Sequence, residues 1–317
     1  MTPEEEHTDE ERGSLDESDV ALGIERLVDD PMLHEPVLVV MLNGWIDAAG
    51  AAATAADELA NSCEASPIVR FDDDTYIDYR ARRPTMELRN GVNTNLHWST
   101  LELSAGRTAG GRDVLLLMGP EPDMAWHRFG RAMTRLATEY GVTQMVAFGA
   151  YPFAAPHTRA PRLSVSSPST EVLSKVSFAR SSVDVPAGMA AALEHAMHAV
   201  KIPALGIWVQ VPHYITTVEY PAASVALLDG FTQVTGIEVP ALDLRRDVQD
   251  QRARLDRMVG DNPEHQSMLS QLEDLFDAAM EQERAVAAGE VEDDVELEAV
   301  SGDELAAEIQ QFLRDQK

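Results

Sequence analysis

A three-layer α/β/α sandwich around a mostly parallel sheet is the fold class this 317-residue sequence predicts, and two observations carry the prediction. Short, mainly apolar runs, the pattern of strands buried on both faces, recur at 37–42, 67–71, 114–118, 142–148 and 204–211. Segments with helical spacing of apolar residues separate most of them. Strands that alternate with helices pack as a sheet between two helical layers.

Taken in order, Val37–Leu42 passes through Asn43-Gly44-Trp45-Ile46-Asp47 into the Ala-rich stretch 48–62, which reads as a buried strand, a tight turn and a helix. With Pro67–Phe71 as the next strand, residues 37–71 are expected to form a β-α-β unit with a parallel pair and a right-handed crossover. Leu96–Leu103 alternates apolar with polar residues and fits a half-exposed strand, while Val114–Met118 fits a central one. Asp123 is placed to cap a helix reaching about Tyr140, and the strand at 142–148 should end at Gly149. Residues 150–169 are rich in Pro, Ser and Thr, with a short strand at 163–165 and helical pieces at 170–175. Pro186 is placed to open a helix to Val200, and Pro221 another to about Thr235, with the strand 204–211 between them. Two amphipathic helices, 243–259 and 263–285, follow, broken at Asn262-Pro263.

The ends have a different composition. Residues 1–19 hold nine acidic side chains against one Arg, and residues 283–317 hold eleven against three basic ones. Such segments bury too little apolar surface to offset their ordering entropy. The expected organisation is a disordered acidic tail at 1–19, a single domain at 20–285 with a helical part from 243 to 285, and an acidic linker from 286 to 317. Inside that linker Leu305, Ile309, Phe312 and Leu313 recur at helical spacing, a tethered amphipathic segment suited to docking on a partner, a sister subunit or its own domain.

The tails take twenty of the 54 acidic residues and four of the 25 basic ones, so residues 20–282 carry −13 of the net −29. That charge repels phosphate backbones, and with Arg80, Arg82, Arg83 and Arg89 as the sole basic cluster, nucleic acid is not an expected partner. Cys63 is alone, which rules out an intrachain disulfide and suits a reducing compartment. No run approaches the ~18 apolar residues of a membrane span, and the start is acidic where a secretory signal is basic. A cytoplasmic protein without membrane contact is expected.

Ligands of open α/β sheets gather at the carboxyl ends of the strands. The segments 43–50, 119–123, 149–161 and 212–214 should therefore share one rim, bringing Asp47, Glu121, His157, Arg159 and His213 to a common cleft. A carboxylate beside a histidine suits acid-base work, so a hydrolase- or phosphorylase-like enzyme using Asp47, Glu121, His157 and His213 is one reading. Ordinary turn chemistry is the other, with Asp47 as a helix cap and Arg159 paired with Glu121. Asn43, Gly44 and Arg159 together offer a third, a sensor of a small anion or nucleotide. Gly-x-Ser-x-Gly is absent, and Gly44–Gly50 has neither the Lys-Ser/Thr ending of a phosphate loop nor dinucleotide glycine spacing. No cofactor is expected. His195 and His198 lie one helical turn apart without a third ligand at matching spacing, so no metal is expected either. Residues 70–89 mix Asp72, Asp73, Asp74, Asp78, Tyr76 and Tyr79 with several Arg, either a contact surface or a self-neutralising loop.

Several motifs in fixed order resemble the proteasome assembly chaperone family, the superfamily named for the second such chaperone, in its long actinobacterial form. They are Leu42-Asn43-Gly44-Trp45-Ile46-Asp47-Ala48-Ala49-Gly50, Gly119-Pro120-Glu121-Pro122-Asp123-Met124-Ala125-Trp126, His157-Thr158-Arg159, Pro186-Ala187-Gly188-Met189, Val211-Pro212-His213-Tyr214-Ile215 and Tyr220-Pro221-Ala222. The resemblance implies a sandwich similar to the phosphorylase/hydrolase-like fold, a homo-oligomer, and a non-catalytic chaperone or adaptor role towards proteasome subunits. Several proteasome-binding members end in a hydrophobic residue, a Tyr and one further residue, whereas this chain ends Asp315-Gln316-Lys317. Contact with a proteasome is therefore expected from the core or from 305–313 rather than from an inserted C-terminus.

Overall fold

A computed structural model describes residues 17–29 and 31–287. Leu305, Ile309, Phe312 and Leu313 lie outside the described residues. Helix α1, Glu17–Leu22, opens the described chain inside the segment read as tail, and strand β1, Ile24–Arg26, follows. Buried Asp19 accepts from Arg26 Nε at 2.7 Å, which fastens the two elements together. Then come β2 (Val37–Asn43), α2 (Ala51–Ser62), β3 (Ser66–Phe71), the short α3 (Asp73–Tyr76), β4 (Thr85–Arg89), β5 (Val92–His97), β6 (Glu102–Arg107) and β7 (Asp113–Pro120). After α4 (Trp126–Glu139) the chain continues through β8 (Gln144–Phe153), β9 (Leu163–Ser166), α5 (Thr170–Leu173), α6 (Met189–Ala199), β10 (Ala204–Pro212), α7 (Pro221–Thr235), α8 (Leu242–Gly260) and α9 (Pro263–Ala287).

Eight strands form one sheet in the order β1-β3-β6-β7-β2-β8-β10-β9. The central four, β7-β2-β8-β10, pair in parallel, while β6, β3 and β1 on one flank and β9 on the other are antiparallel additions. Side-chain alternation along β2 divides the core into two layers. Val37, Val39 and Met41 face α2 and α7, with Leu255 of α8 behind them, whereas Leu38 and Val40 face α4 and α6. Ala51, Ala52, Ala55 and Ala56 line the buried side of α2, and their small volume lets that helix lie close on the sheet.

Four details depart from the sequence reading. Strands β2 and β3 run in the same direction, but β6 and β7 lie between them, so 37–71 is not a paired β-α-β unit. Residues 96–103 are not one strand: β5 ends at His97 in a separate two-stranded sheet with β4, and β6 starts at Glu102. Asp123 does not cap α4, which starts at Trp126 behind Ala125 (φ 57°); its carboxylate instead takes Arg82 Nε and the Asp78 N–H, each at 3.0 Å. Helix α6 begins at Met189 rather than Pro186, because Gly188 is its N-cap.

Candidate functional site

The four parallel strands end together. Asn43 of β2 lies opposite Pro120 of β7, Pro212 of β10 opposite Phe153 of β8, and Asp47 bridges to Ala150. The turns after 43, 120 and 212 thus stand side by side at the carboxyl end of the sheet. Gly149 is not a turn there but an interior position of β8, where an added Cβ would sit 2.3 Å from the Trp208 ring.

The rim carboxylates Asp47 and Glu121 each have a structural partner. Asp47 Oδ1 accepts the Ala52 N–H at 2.8 Å and Oδ2 the Ala53 N–H at 3.1 Å, which closes the start of α2 after Ala49 and Gly50 enter left-handed conformations. Burial pushes the Asp47 carboxyl up from its ordinary range, against the pull of those two donors. Glu121 accepts the Met189 N–H and so fixes the start of α6 to the end of β7; burial raises its pKa as well. Trp45 lies over Gly188, and the Arg82 guanidinium covers the backbone of Gly44, where a Cβ would meet Nη2 at 2.6 Å. Asn43 is exposed at its side chain and accepts from Glu121 N through its carbonyl at 2.7 Å.

His157 belongs to a second group, separate from Glu121. The Tyr214 hydroxyl accepts the His157 N–H at 2.8 Å and so donates to Nδ1 at 2.7 Å, which leaves Nε2–H to donate to Asp256 Oδ1 of α8 at 3.3 Å. Burial holds the His157 pKa below the usual histidine value and lifts the Tyr214 hydroxyl to about 12. The next residues bind α9: the Thr158 hydroxyl donates to Glu273, Arg159 forks onto Asp277 at 2.9 and 2.7 Å and reaches Glu273 at 3.1 Å, and Arg162 pairs with Glu283. Arg159 therefore pairs with α9 and not with Glu121. His213 is exposed, its ring edge-on to Tyr214 with centroids 5.4 Å apart. Of the rim residues named from the sequence, Tyr214 brings His157 and His213 together, while Asp47 and Glu121 bond to different helices. A cleft of about 550 Å³ lies between the 157–163 loop, α7 and α8, lined among others by His157, Arg159, Tyr220 and Arg252.

His195 and His198 are exposed on α6, and among the described residues no group of three or more His, Cys, Asp or Glu is arranged to hold a metal ion. No helix among the described residues is long and apolar enough to cross a membrane.

Sequence reasoning missed two groups. One is Glu194, 4 % exposed, which takes the Ser166 hydroxyl at 3.3 Å; Trp208 Nε1 donates to that same hydroxyl at 3.2 Å, and burial lifts the carboxyl to about 8. The other is the β4–β5 hairpin. Its register pairs Met86 with Leu96, and Leu88 shares their face; the opposite face carries Glu87 with Arg89 and His97. Met86, Leu88 and Leu96 are 47, 52 and 40 % exposed, and Trp98 beside them is 48 % exposed, its ring edge-on to Tyr79. The signal was present as Asn90-Gly91 between alternating apolar residues, a two-residue hairpin turn with both φ positive, at 51° and 81°.

The fold recurs in known proteins. No curated protein sequence is significantly similar to the chain. A Mycobacterium tuberculosis protein of unknown function is 31 % identical, with a TM-score of 0.77, over 92 % of this chain and 96 % of that one. A proteasome-assembly chaperone homologue from the same organism is 32 % identical, with a TM-score of 0.68, over 74 % of this chain and 99 % of the other. An archaeal proteasome activator from Pyrococcus furiosus shares the fold at 14 % identity and a TM-score of 0.58, over 74 % of this chain and 97 % of its own. The PAC2 family model matches residues 41–259, a span that holds the rim turns, the hairpin and the histidine loop. With that match across most of the domain, the chain belongs to the PAC2 family.

Proposed function

We propose that the protein is a non-catalytic, chaperone- or adaptor-like binding protein that engages proteasome subunits through the β4–β5 hairpin, as part of a homo-oligomer. The observation that carries this reading is the hairpin's uncovered apolar face of Met86, Leu88 and Leu96 beside Trp98. A lone two-stranded hairpin is marginal in water and gains from being covered, and aromatic anchors of this kind dominate the energetics of contact surfaces. The rim supports the same reading from the other side, since Asp47, Glu121, His157 and Arg159 are each engaged in holding a helix or loop. The resemblance of a 32 % identical relative to proteasome-assembly chaperones supplies the partner class. The test is binding of the full chain to purified proteasome core particles from its own source, with Leu88→Asp/Leu96→Asp as the variant. Both positions are exposed, so the melting temperature should hold while affinity falls at least tenfold; equal binding by variant and wild type would overturn the reading.

The cleft beside His157 favours a second reading, an enzyme that uses the Tyr214–His157–Asp256 chain as a base. A hydrolysis screen of wild type against Asp256→Asn decides it, and a flat profile across ester, glycoside and nucleoside substrates removes it.

A further inference from the structure

Tyr214 and Tyr220 both follow the end of β10, and the fold uses them differently. Tyr214 is engaged on both sides of its hydroxyl, accepting the His157 N–H and donating to His157 Nδ1. Tyr220 is 4 % exposed, yet its hydroxyl has no hydrogen-bond partner among the described residues. It is not one of the wholly enclosed atoms without a partner either, so it opens into the cleft that the residue lines. Nearly all buried polar groups are paired, and this one is a donor without an acceptor. Burial raises its pKa above the ordinary tyrosine value, with Tyr214 adding to the rise and Arg252 opposing it, so the hydroxyl keeps its proton.

A second donor lines the same space. Arg252 of α8 gives Nε to both oxygens of Asp256 at 3.1 Å and Nη1 to the His157 carbonyl at 3.1 Å, and its Nη2 has no acceptor among the described residues. The cleft, of about 550 Å³, has apolar walls that include Pro161 and Leu163, Val225 and Ala226 of α7, and Val248 and Leu255 of α8. That volume falls within the roughly 300–1,000 Å³ of small-molecule sites, where apolar walls and a few convergent polar groups are the usual composition.

The charges around the cleft select the ligand. Arg159, Arg245 and Arg252 are already matched by Glu273, Asp277, Asp229 and Asp256, three cations against four carboxylates, so no positive charge is left over to hold an anion. A cation is disfavoured as well, because both unengaged groups are donors. An uncharged acceptor meets both conditions, and a carbonyl oxygen has two lone pairs for two donors.

We propose that this cleft binds a small uncharged amide or ester whose carbonyl oxygen accepts from the Tyr220 hydroxyl and Arg252 Nη2, and whose hydrocarbon part lies along Val225, Ala226 and Val248. The bound molecule joins the 157–163 loop, α7 and α8. That loop and α8 are linked directly by His157 to Asp256 and by Arg252 to the His157 carbonyl, so the ligand fastens a helix whose buried residue is Leu255. Binding requires neither a proteasome nor turnover, and the inference rests on neither reading of the function.

The test is calorimetric titration of the full chain with N-acyl leucine amides and methyl esters, acyl groups running from acetyl to octanoyl, beside the matching free acids. The best amide or ester should bind with a Kd on the order of 0.1 mM, the level of a ligand of about fifteen to twenty heavy atoms. Its free acid should bind about tenfold more weakly, because its carboxylate meets the acidic surplus. Tyr220→Phe should leave the melting temperature of the free protein unchanged, since the hydroxyl bonds to nothing, and weaken binding by about three- to tenfold. Ala226→Trp, which fills the cleft from a half-buried position on α7, should abolish binding. Amides of α8 should exchange severalfold more slowly with the ligand bound. No binding across the series, equal affinity for acids and amides, or undiminished affinity in Tyr220→Phe would overturn the inference. Such a failure leaves the hairpin test with Leu88→Asp/Leu96→Asp and the hydrolysis screen with Asp256→Asn to decide their own readings.

Discussion

Replacing Glu194 by Gln should make the protein more stable as pH rises, and the size of the effect follows from the carboxyl's surroundings. Glu194 is 4 % exposed beneath the sheet, among the described residues takes a hydrogen bond from the Ser166 hydroxyl alone, and burial lifts its pKa to about 8 from an ordinary 4.5. The cause is desolvation, since a carboxylate in that position gives up its water and receives one weak donor in return. The folded state therefore holds this proton more tightly than the unfolded state. Its contribution to stability is complete below about pH 4.5 and is lost as pH rises towards 8. At about 1.4 kcal/mol per pH unit, the wild type loses about 3 kcal/mol from this group between pH 5.5 and 8. Glutamine keeps the shape and one acceptor and has no proton to lose. Urea unfolding of both proteins across pH 5.5–9 gives the answer: the advantage of Glu194→Gln should grow by about 3 kcal/mol up to pH 8 and level off above it, and the corresponding shift in melting temperature is of order 5–10 °C. A difference between the two proteins that stays constant with pH would show the reasoning about this carboxyl to be wrong.

Three other substitutions probe the rim and the elements it holds. Asp47→Ala removes the acceptors of the Ala52 and Ala53 N–H groups and should cost about 1–2 kcal/mol in urea unfolding, with Asp47→Asn recovering part of it. Gly149→Ala drives a methyl group to within 2.3 Å of the Trp208 ring; a loss of about 2 kcal/mol or more and a shift in tryptophan emission are expected. Arg159→Ala frees Asp277 and leaves Glu273 with the Thr158 hydroxyl. Leu272 is the one large apolar side chain that α9 buries among the described residues. Hydrogen exchange in α9 should therefore rise severalfold, while the global unfolding free energy changes by less than about 1 kcal/mol.

The layers of the fold were legible because β2, β7, β8 and β10 are buried on both faces and so appear as apolar runs, and because Pro221 and Pro263 mark helix starts. The sheet order was not. Apolar runs carry no information about neighbours, so nothing in 37–71 shows that β6 and β7 insert between β2 and β3. The convergence of the strand ends followed from the parallel centre, yet the partners of the rim residues did not. Arg159 finds Asp277 and Glu273, more than a hundred positions away, and no local spacing encodes such a pairing. Asp47 was readable as a cap because its partners are five and six residues on, whereas Asp123 in a similar position bonds to Arg82 instead. The hairpin was obscured by reading Leu96 to Leu103 as one alternating strand, which hid the turn at Asn90-Gly91.

Under the proposed function, partner contact falls on the hairpin and the polar rim is structural. Hydrogen-exchange footprinting of the full chain with and without proteasome core particles separates the two surfaces most directly. Slowed exchange at 85–97 and around Trp98, with the 157–163 loop and the start of α2 unchanged, is the predicted footprint. Protection centred on His157 and the cleft beside it, with the hairpin exchanging as in the free protein, would contradict the account.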